Sequence, residues 1–242
     1  MSYRDKTILA VVPARGGSKG IKLKNLMLFN GVPLVETAGG ILQNLPLVDR
    51  SIVSTDHSEI ARVACQAGLE VPFCRPPELS GDLVSDSAVM RHALAEMERI
   101  DSVIYDVLVL LQPTSPFRQV RHVEAVITKL IDGDYDSVLT VSTTDSKSHP
   151  LKQLRITGEN VTYYDKSGGQ VIARQQLTPV YHRNGLAYAV TRQCLLDQDT
   201  MIGENASAVI VDEDLVNIDT LDDVRYGEWL LERKLKEGIV SN

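Results

Sequence analysis

The chain has 242 residues, 43% of them hydrophobic, which is enough for one large domain with a small insert and a sizeable core. Its 25 Lys and Arg stand against 32 Asp and Glu, a net charge of −7 that argues against general nucleic-acid or membrane-surface binding, because no basic stripe lies outside the first loop. No apolar run approaches the ~20 residues of a spanning helix, no apolar leader is visible at the N-terminus, and Cys65, Cys74 and Cys194 lack metal-ligand spacing; the expectation is a cytoplasmic protein with reduced thiols.

Ile8–Val12 is short, apolar and rich in β-branched residues, which predicts a buried strand closed by Pro13. Gly16, Gly17 and Gly20 follow, interleaved with Arg15, Ser18, Lys19, Lys22 and Lys24. Glycines let backbone N–H groups approach an anion closely, and the cations place charge where a phosphate chain would lie. The pattern is neither the P-loop nor G-x-G-x-x-G. Leu34–Leu45 has helical spacing with a weak point at Gly39-Gly40. Ser51–Ser54 reads as a strand, and Asp56-His57-Ser58-Glu59 as a capping box opening a helix that stops at Gly68. Val71–Cys74 reads as a third strand, Ser80–Ser87 as a loop, and Asp86 or Ser87 as the cap of a helix reaching about Arg99.

Val107–Leu111 is hydrophobic at every position, as a central strand covered on both faces should be. It runs into Gln112-Pro113-Thr114-Ser115-Pro116, then a helix over Val120–Ile131 and a strand over Ser137–Val141. This alternation implies βαβ units and a mostly parallel sheet. The rhythm breaks over Thr143–Thr178, where Leu154–Thr157 and Val161–Tyr164 suggest an inserted hairpin or arm at about 143–183. Strands return at Leu186–Val190 and Ala208–Val211. Thr220 and Asp223 form an acidic capping box for a last helix, with Leu221, Val224, Trp229, Leu230 and Leu235 on its apolar face. In such a sheet ligands sit outside the carboxyl ends of the strands, where the Arg15–Asn25 loop, Arg75, the 80–87 loop, Gln112–Ser115 and Asp219 would converge. His57, His92, His122 and His149 have no partner spacing, and no nucleophile–His–Asp arrangement is evident.

PARGGSKGIKLKN, RPPEL at Arg75–Leu79, LQPTSPFR at Leu111–Arg118, RQQL at Arg174–Leu177, NGLAY at Asn184–Tyr188 and IDTLDD at Ile218–Asp223 occur in that order. Together they resemble the acylneuraminate cytidylyltransferase family, the CMP-sialic acid synthetases and their relatives for other 2-keto-3-deoxy sugar acids, over nearly the whole chain. The resemblance implies a three-layer, Rossmann-like nucleotidyltransferase fold spanning 1–242, with a small β-arm used for homodimerisation. It implies attack of a sugar-acid anomeric hydroxyl on the α-phosphate of CTP, with Mg²⁺ assisting, to activate a sugar for a surface glycan, lipopolysaccharide or flagellin. Chemistry of this kind asks a protein mainly for positioning and charge neutralisation.

Carried over by motif, Arg15, Gly16, Gly17, Ser18, Lys19, Asn25, Arg75 and Ser85 fall on the nucleotide, with Arg15, Lys19 and Asp219 as the catalytic set. Arg75 would read cytosine; without the resemblance it reads as a surface arginine before a Pro-Pro turn. Gln112, Thr114, Ser115, Arg174 and Tyr188 fall on the sugar, Arg174 coming from the dimer partner, and Tyr188 reads equally as a packing residue. Two positions depart from the family: His182, with Arg183 beside it, stands where sialic-acid enzymes can carry a second arginine, and Asn217 stands where Asp-x-Asp often holds metal, leaving Asp219 as the one carboxylate. Three alternatives stay open: activation of Kdo or an amino-modified analogue, a non-catalytic nucleotide-binding relative, and a sugar-1-phosphate nucleotidyltransferase.

Overall fold

The computed structural model describes residues 3–238. Strand β1 (Ile8–Pro13) is fully buried from Ile8 to Val12. After the glycine-rich loop comes a small antiparallel pair, β2 (Leu28–Phe29) and β3 (Val32–Pro33), which leads into helix α1 (Leu34–Gln43). Next are β4 (Arg50–Ser54), α2 (Ser58–Gln66), α3 (Asp86–Asp101), β5 (Val107–Leu110) and α4 (Val120–Asp132). The chain continues through β6 (Ser137–Thr143), β7 (Leu154–Thr157), β8 (Asn160–Tyr163), β9 (Tyr181–Thr191), β10 (Ala206–Ile210) and α5 (Leu221–Lys236).

The fold is α/β, built on a mostly parallel six-stranded sheet of order β10-β6-β9-β5-β1-β4. β1 pairs in parallel with β4 and β5, and β9 runs antiparallel to β5. Side chains alternate across a strand, so β1 feeds two layers. Ile8, Ala10 and Val12 join Val53, Val107 and Val109 beneath α1, α2 and α4. Leu9, Val11, Leu108 and Leu110 belong to the opposite face, where α3 meets β1 and β5 and buries Met90, Ala93, Leu94 and Met97. Each fully buried Val, Leu, Ile or Met among them contributes about 1.5–3 kcal/mol. This double coverage explains the unbroken apolar run at β5.

Packing divides the described residues into two compact units. The larger holds those up to Thr140, Asn184–Val209 and those from Asp214 onward; the smaller holds Val141–Arg183 and Ile210–Glu213. Within the smaller unit β7 and β8 form an antiparallel hairpin turned at Gly158, whose φ of +61° suits glycine. His149 is buried there, its ring bonded to the Thr178 carbonyl at 3.0 Å and accepting from the Leu151 amide at 3.1 Å.

Five local expectations are corrected. Val71–Cys74 is not a strand: Glu70 makes a single parallel bridge to Ile52, and Pro72 then lacks the donor to continue it. Gly39 is no weak point, because a Cβ there would lie 2.8 Å from the Ala67 carbonyl; its smallness lets α1 approach α2. α2 is capped by His57, whose Nδ1 accepts from the Glu59 amide, while α3 is capped by Ser85, whose Oγ accepts from Ala88, rather than by Asp86 or Ser87. On α5 the Thr220–Asp223 capping box forms as expected, but Leu221 and Trp229 are more than half exposed. The buried stripe is Gly227, Leu230 and Lys234. A Cβ at Gly227 would stand 2.8 Å from the Phe29 ring, so this close approach sets which face turns inward.

Candidate active site

The carboxyl ends of β1 and β5 mark the point where the chain, having gone from β1 outward to β4, crosses back to the other side of β1. A cavity of about 680 Å³ opens there, within the size range of small-molecule sites. Pro13 ends β1 at its wall, and Gln112, Pro113 and Thr114 follow β5 into it. Arg15, Ser18, Lys19, Gly20, Lys24, Asn25, Arg75, Asp82, Asn217 and Asp219 also line it.

The loop after β1 is held from several sides. The Gly16 amide donates to Asp56 Oδ1 at 2.9 Å, and the Asn25 side-chain amide donates to the Arg15 carbonyl at 2.9 Å. Asp56, expected to help cap α2, is thus committed to this loop. None of Gly16, Gly17 and Gly20 has a positive φ. What Gly20 supplies is space: a Cβ would lie 2.7 Å from the Asp219 carbonyl oxygen, so only glycine lets the basic loop rest against the start of α5. Gly16 is likewise tight against the His57 ring, while nothing lies within 4 Å of a Cβ on Gly17.

Three of the four loop cations reach the cavity; Lys22 is exposed away from it. Arg15 Nη1 and Lys19 Nζ both contact Asp82, at 2.9 and 2.6 Å. The Lys19 ammonium, with Arg15 beside it, holds the Asp82 carboxyl below its ordinary pKa. Lys24 Nζ donates to Asp219 Oδ1 at 2.6 Å. Lys24 was legible only as one of four cations; its partner comes from a motif 195 positions away.

Arg75 is 3% exposed, and its Nε and Nη2 have no hydrogen-bond partner. Burial pushes its pKa down, opposed by Asp56 and reinforced by Arg15. The surface-arginine reading is therefore wrong. A buried guanidinium with unmet donors is costly, and Arg75 is one of the residues that line the cavity.

Gln112 and Thr114 line the cavity; Ser115 is fully buried, its Oγ lacks a partner, and it is not among the lining residues. Gly185, at φ +77°, closes on this stretch: a Cβ would come within 2.8 Å of Ser115 Oγ, 3.0 Å of Gln112 Oε1 and 3.4 Å of Asn217 Nδ2. Beneath them lies Arg118, 3% exposed, which donates to the carbonyls of Gln112, Gly185 and Leu186. Burial lowers its pKa. The sequence carries no separate signal for Gly185 or Arg118, although they lie inside the NGLAY and LQPTSPFR motifs.

Other expected residues lie elsewhere. Tyr188 is 6% exposed, pairs in register with Leu110, and does not line the cavity. Ser85 is exposed, and its hydroxyl is committed to capping α3 and to Ser87 Oγ at 2.9 Å. Arg174 is exposed on a short 3₁₀ turn (Arg174–Gln176) in the smaller unit. His182 Nδ1 contacts Thr144 Oγ1 at 3.1 Å in the same unit.

Among the described residues no group of three or more His, Cys, Asp or Glu is arranged to hold a metal. Asp219 and Asn217 supply a carboxylate and an amide oxygen on the cavity wall. That donor set suits a hard cation that draws its remaining ligands from phosphate and water, as Mg²⁺ does.

Residues 9–212 match the family model described as cytidylyltransferase. The chain belongs to that family. The resemblance drawn from its motifs to the acylneuraminate cytidylyltransferases holds. It is 32% identical over 240 residues to a CMP-N,N'-diacetyllegionaminic acid synthase of Legionella pneumophila, covering 95% of this chain and 96% of the relative. It is 30% identical over 224 residues to a pseudaminic acid cytidylyltransferase of Campylobacter jejuni, covering 92% and 95%. A solved structure of CMP:2-keto-3-deoxy-manno-octonic acid synthetase complexed with CTP superposes with a TM-score of 0.69 over 95% of this chain and 100% of that one, at 17% identity, and so shares the fold. This cytidylyltransferase carries CTP-dependent cytidylyl-transfer machinery. No helix among its described residues is long and apolar enough to cross a membrane.

Proposed function

We propose that this cytidylyltransferase joins CMP to the anomeric hydroxyl of a nonulosonate-type 2-keto-3-deoxy sugar acid. The anomeric oxygen forms a bond to the α-phosphorus of CTP, the bond to the bridging oxygen breaks, pyrophosphate leaves and the hydroxyl proton passes to solvent. The observation that carries this reading is Arg75, a buried, unpartnered guanidinium on the wall of a cavity that also holds three loop cations. Its free donors match the O2 and N3 acceptors of cytosine, and Arg15, Lys19 and Lys24 match a triphosphate. Gln112 and Thr114 suit a polyol.

Mg²⁺, bound by Asp219 and the Asn217 carbonyl together with phosphate oxygens, would neutralise charge on the leaving group. The chain's own part is to orient the phosphates with Arg15, Ser18 and Lys19 and to fix the acceptor against the stretch after β5. The relatives named for pseudaminic and legionaminic acids favour the nine-carbon sugar acids. On this reading the enzyme works as a cytoplasmic homodimer in which Arg174 of one copy meets the sugar carboxylate bound by the other, and it supplies surface-glycan assembly.

Pyrophosphate release with CTP and Mg²⁺ across pseudaminate, legionaminate, N-acetylneuraminate, Kdn and Kdo is expected to single out one nine-carbon acid. Preference for Kdo would overturn the nonulosonate assignment, and CTP binding without turnover on any sugar would overturn catalysis. Arg75→Met is expected to lower kcat/KM for CTP about 10- to 100-fold, the size of a lost charged hydrogen-bond pair. The same change should narrow the preference for CTP over UTP. Unchanged selectivity in the two-nucleotide competition would remove Arg75 from base recognition.

A further inference from the structure

Asp82 lies in the loop that joins the short 3₁₀ turn Pro77–Leu79 to α3, and no strand pairing holds it there. Its side chain is one-third exposed, and the neighbouring Leu83 is fully exposed. Yet its two carboxylate oxygens are spent on two of the cavity's cations, Oδ1 on Arg15 at 2.9 Å and Oδ2 on Lys19 at 2.6 Å. A carboxylate bridging a guanidinium and an ammonium mimics two oxygens of a phosphate. Asp82 also lines the cavity, so an anion that takes both cations must displace it or share them with it.

We propose that Asp82 is an internal competitor for the phosphate tail, which yields Arg15 and Lys19 to the incoming triphosphate and takes them back as pyrophosphate leaves. This rests on the phosphate-binding reading of the basic loop. A triphosphate or pyrophosphate carries several charges against one on the carboxylate, so the exchange favours the ligand on entry. After the α-phosphate has been transferred, the returning carboxylate satisfies the cations that departing pyrophosphate would leave bare, and release becomes easier. The alternative role, in which Asp82 holds the two cations in place for the phosphates, makes the opposite prediction: its loss would weaken anion binding.

The test is calorimetric titration of inorganic pyrophosphate into the wild type and Asp82→Asn at low ionic strength, with product-inhibition kinetics on the same proteins. Asp82→Asn is expected to bind pyrophosphate about tenfold more tightly, the size expected when two partly exposed ion pairs leave the competition. Its pyrophosphate inhibition constant should fall in proportion, and the gap should shrink as salt is raised. Asp82→Ser should behave as Asp82→Asn does, and Asp82→Glu should remain near wild type. Equal or weaker pyrophosphate binding by both neutral variants, with the wild type still binding, would overturn the role of Asp82 alone. Absence of pyrophosphate and CTP binding by the wild type would overturn the phosphate site and this role together.

Discussion

Asp219→Asn is expected to lower kcat by about a hundredfold or more at saturating CTP, the usual size for removing one preorganised charge from a site of this kind. The carboxylate meets the cavity directly, and its Oδ1 is held by Lys24 at 2.6 Å. Removing it takes away the carboxylate two positions from Asn217 and leaves Lys24 without the counter-charge it holds at 2.6 Å. The backbone frame survives, because the amide of residue 219 still donates to Asp223 Oδ2 at 3.0 Å and the Thr220–Asp223 capping box is untouched. The helix signal by circular dichroism should therefore match the parent. Initial rates of pyrophosphate release over a Mg²⁺ series provide the check: the variant should need far more metal or stay inactive. A metal dependence superimposable on the parent would sink the assignment of Asp219 as a ligand.

Arg118→Met is expected to destabilise the fold by about 3 kcal/mol, because three carbonyls lose a charged donor and are left unmet, which outweighs the relieved desolvation of the cation. The carbonyls of Gln112, Gly185 and Leu186 all receive the guanidinium. Methionine fills much of the volume but donates to none of them. The urea midpoint should drop sharply with the slope unchanged, and Arg118→Lys should recover only part of the loss, since an ammonium cannot reproduce the planar fork. A midpoint within experimental error of the parent would mean that these carbonyls find other donors.

The parts of the fold that could be read from the chain are those in which one local rule dominates. β1 and β5 are apolar along their buried length because both faces are covered. The start of α5 is legible because Thr220 and Asp223 have the right chemistry three positions apart. The rotation of α5 was not legible. Leu221 and Trp229 look like core residues, but the contact between Gly227 and Phe29, nearly 200 positions apart, decides the buried face. Val71–Cys74 failed for a related reason: its β-branched start satisfies propensity, while Pro72 denies it a ladder.

The site divides in the same way. The basic loop and the residues after β5 could be placed by topology alone, since both leave the carboxyl ends of parallel strands. Arg75 could not: a short Arg-Pro-Pro stretch carries no sign of burial, and only its resemblance to a family motif separated it from a surface arginine. Asp82 gave no signal either, because one carboxylate in a polar loop reveals its partners only after folding. Arg118, inside the LQPTSPFR motif, carries no signal of its own, since its partners are backbone carbonyls, which no residue pattern records.

The backbone at Gly185 has a bearing on how this enzyme's acceptor preference could drift. Ser115, Gln112 and Asn217 crowd the space that a side chain at 185 would need, and its φ of +77° disfavours any other residue. Position 185, packed against this stretch, is thus fixed as main chain and offers no side chain for selection to tune. On the proposed reading, variation in the accepted sugar comes from side chains that face the cavity beside that fixed point, such as Gln112 and Thr114. A library aimed at new acceptors would do best to hold 185 constant and to vary 112 and 114 as a pair.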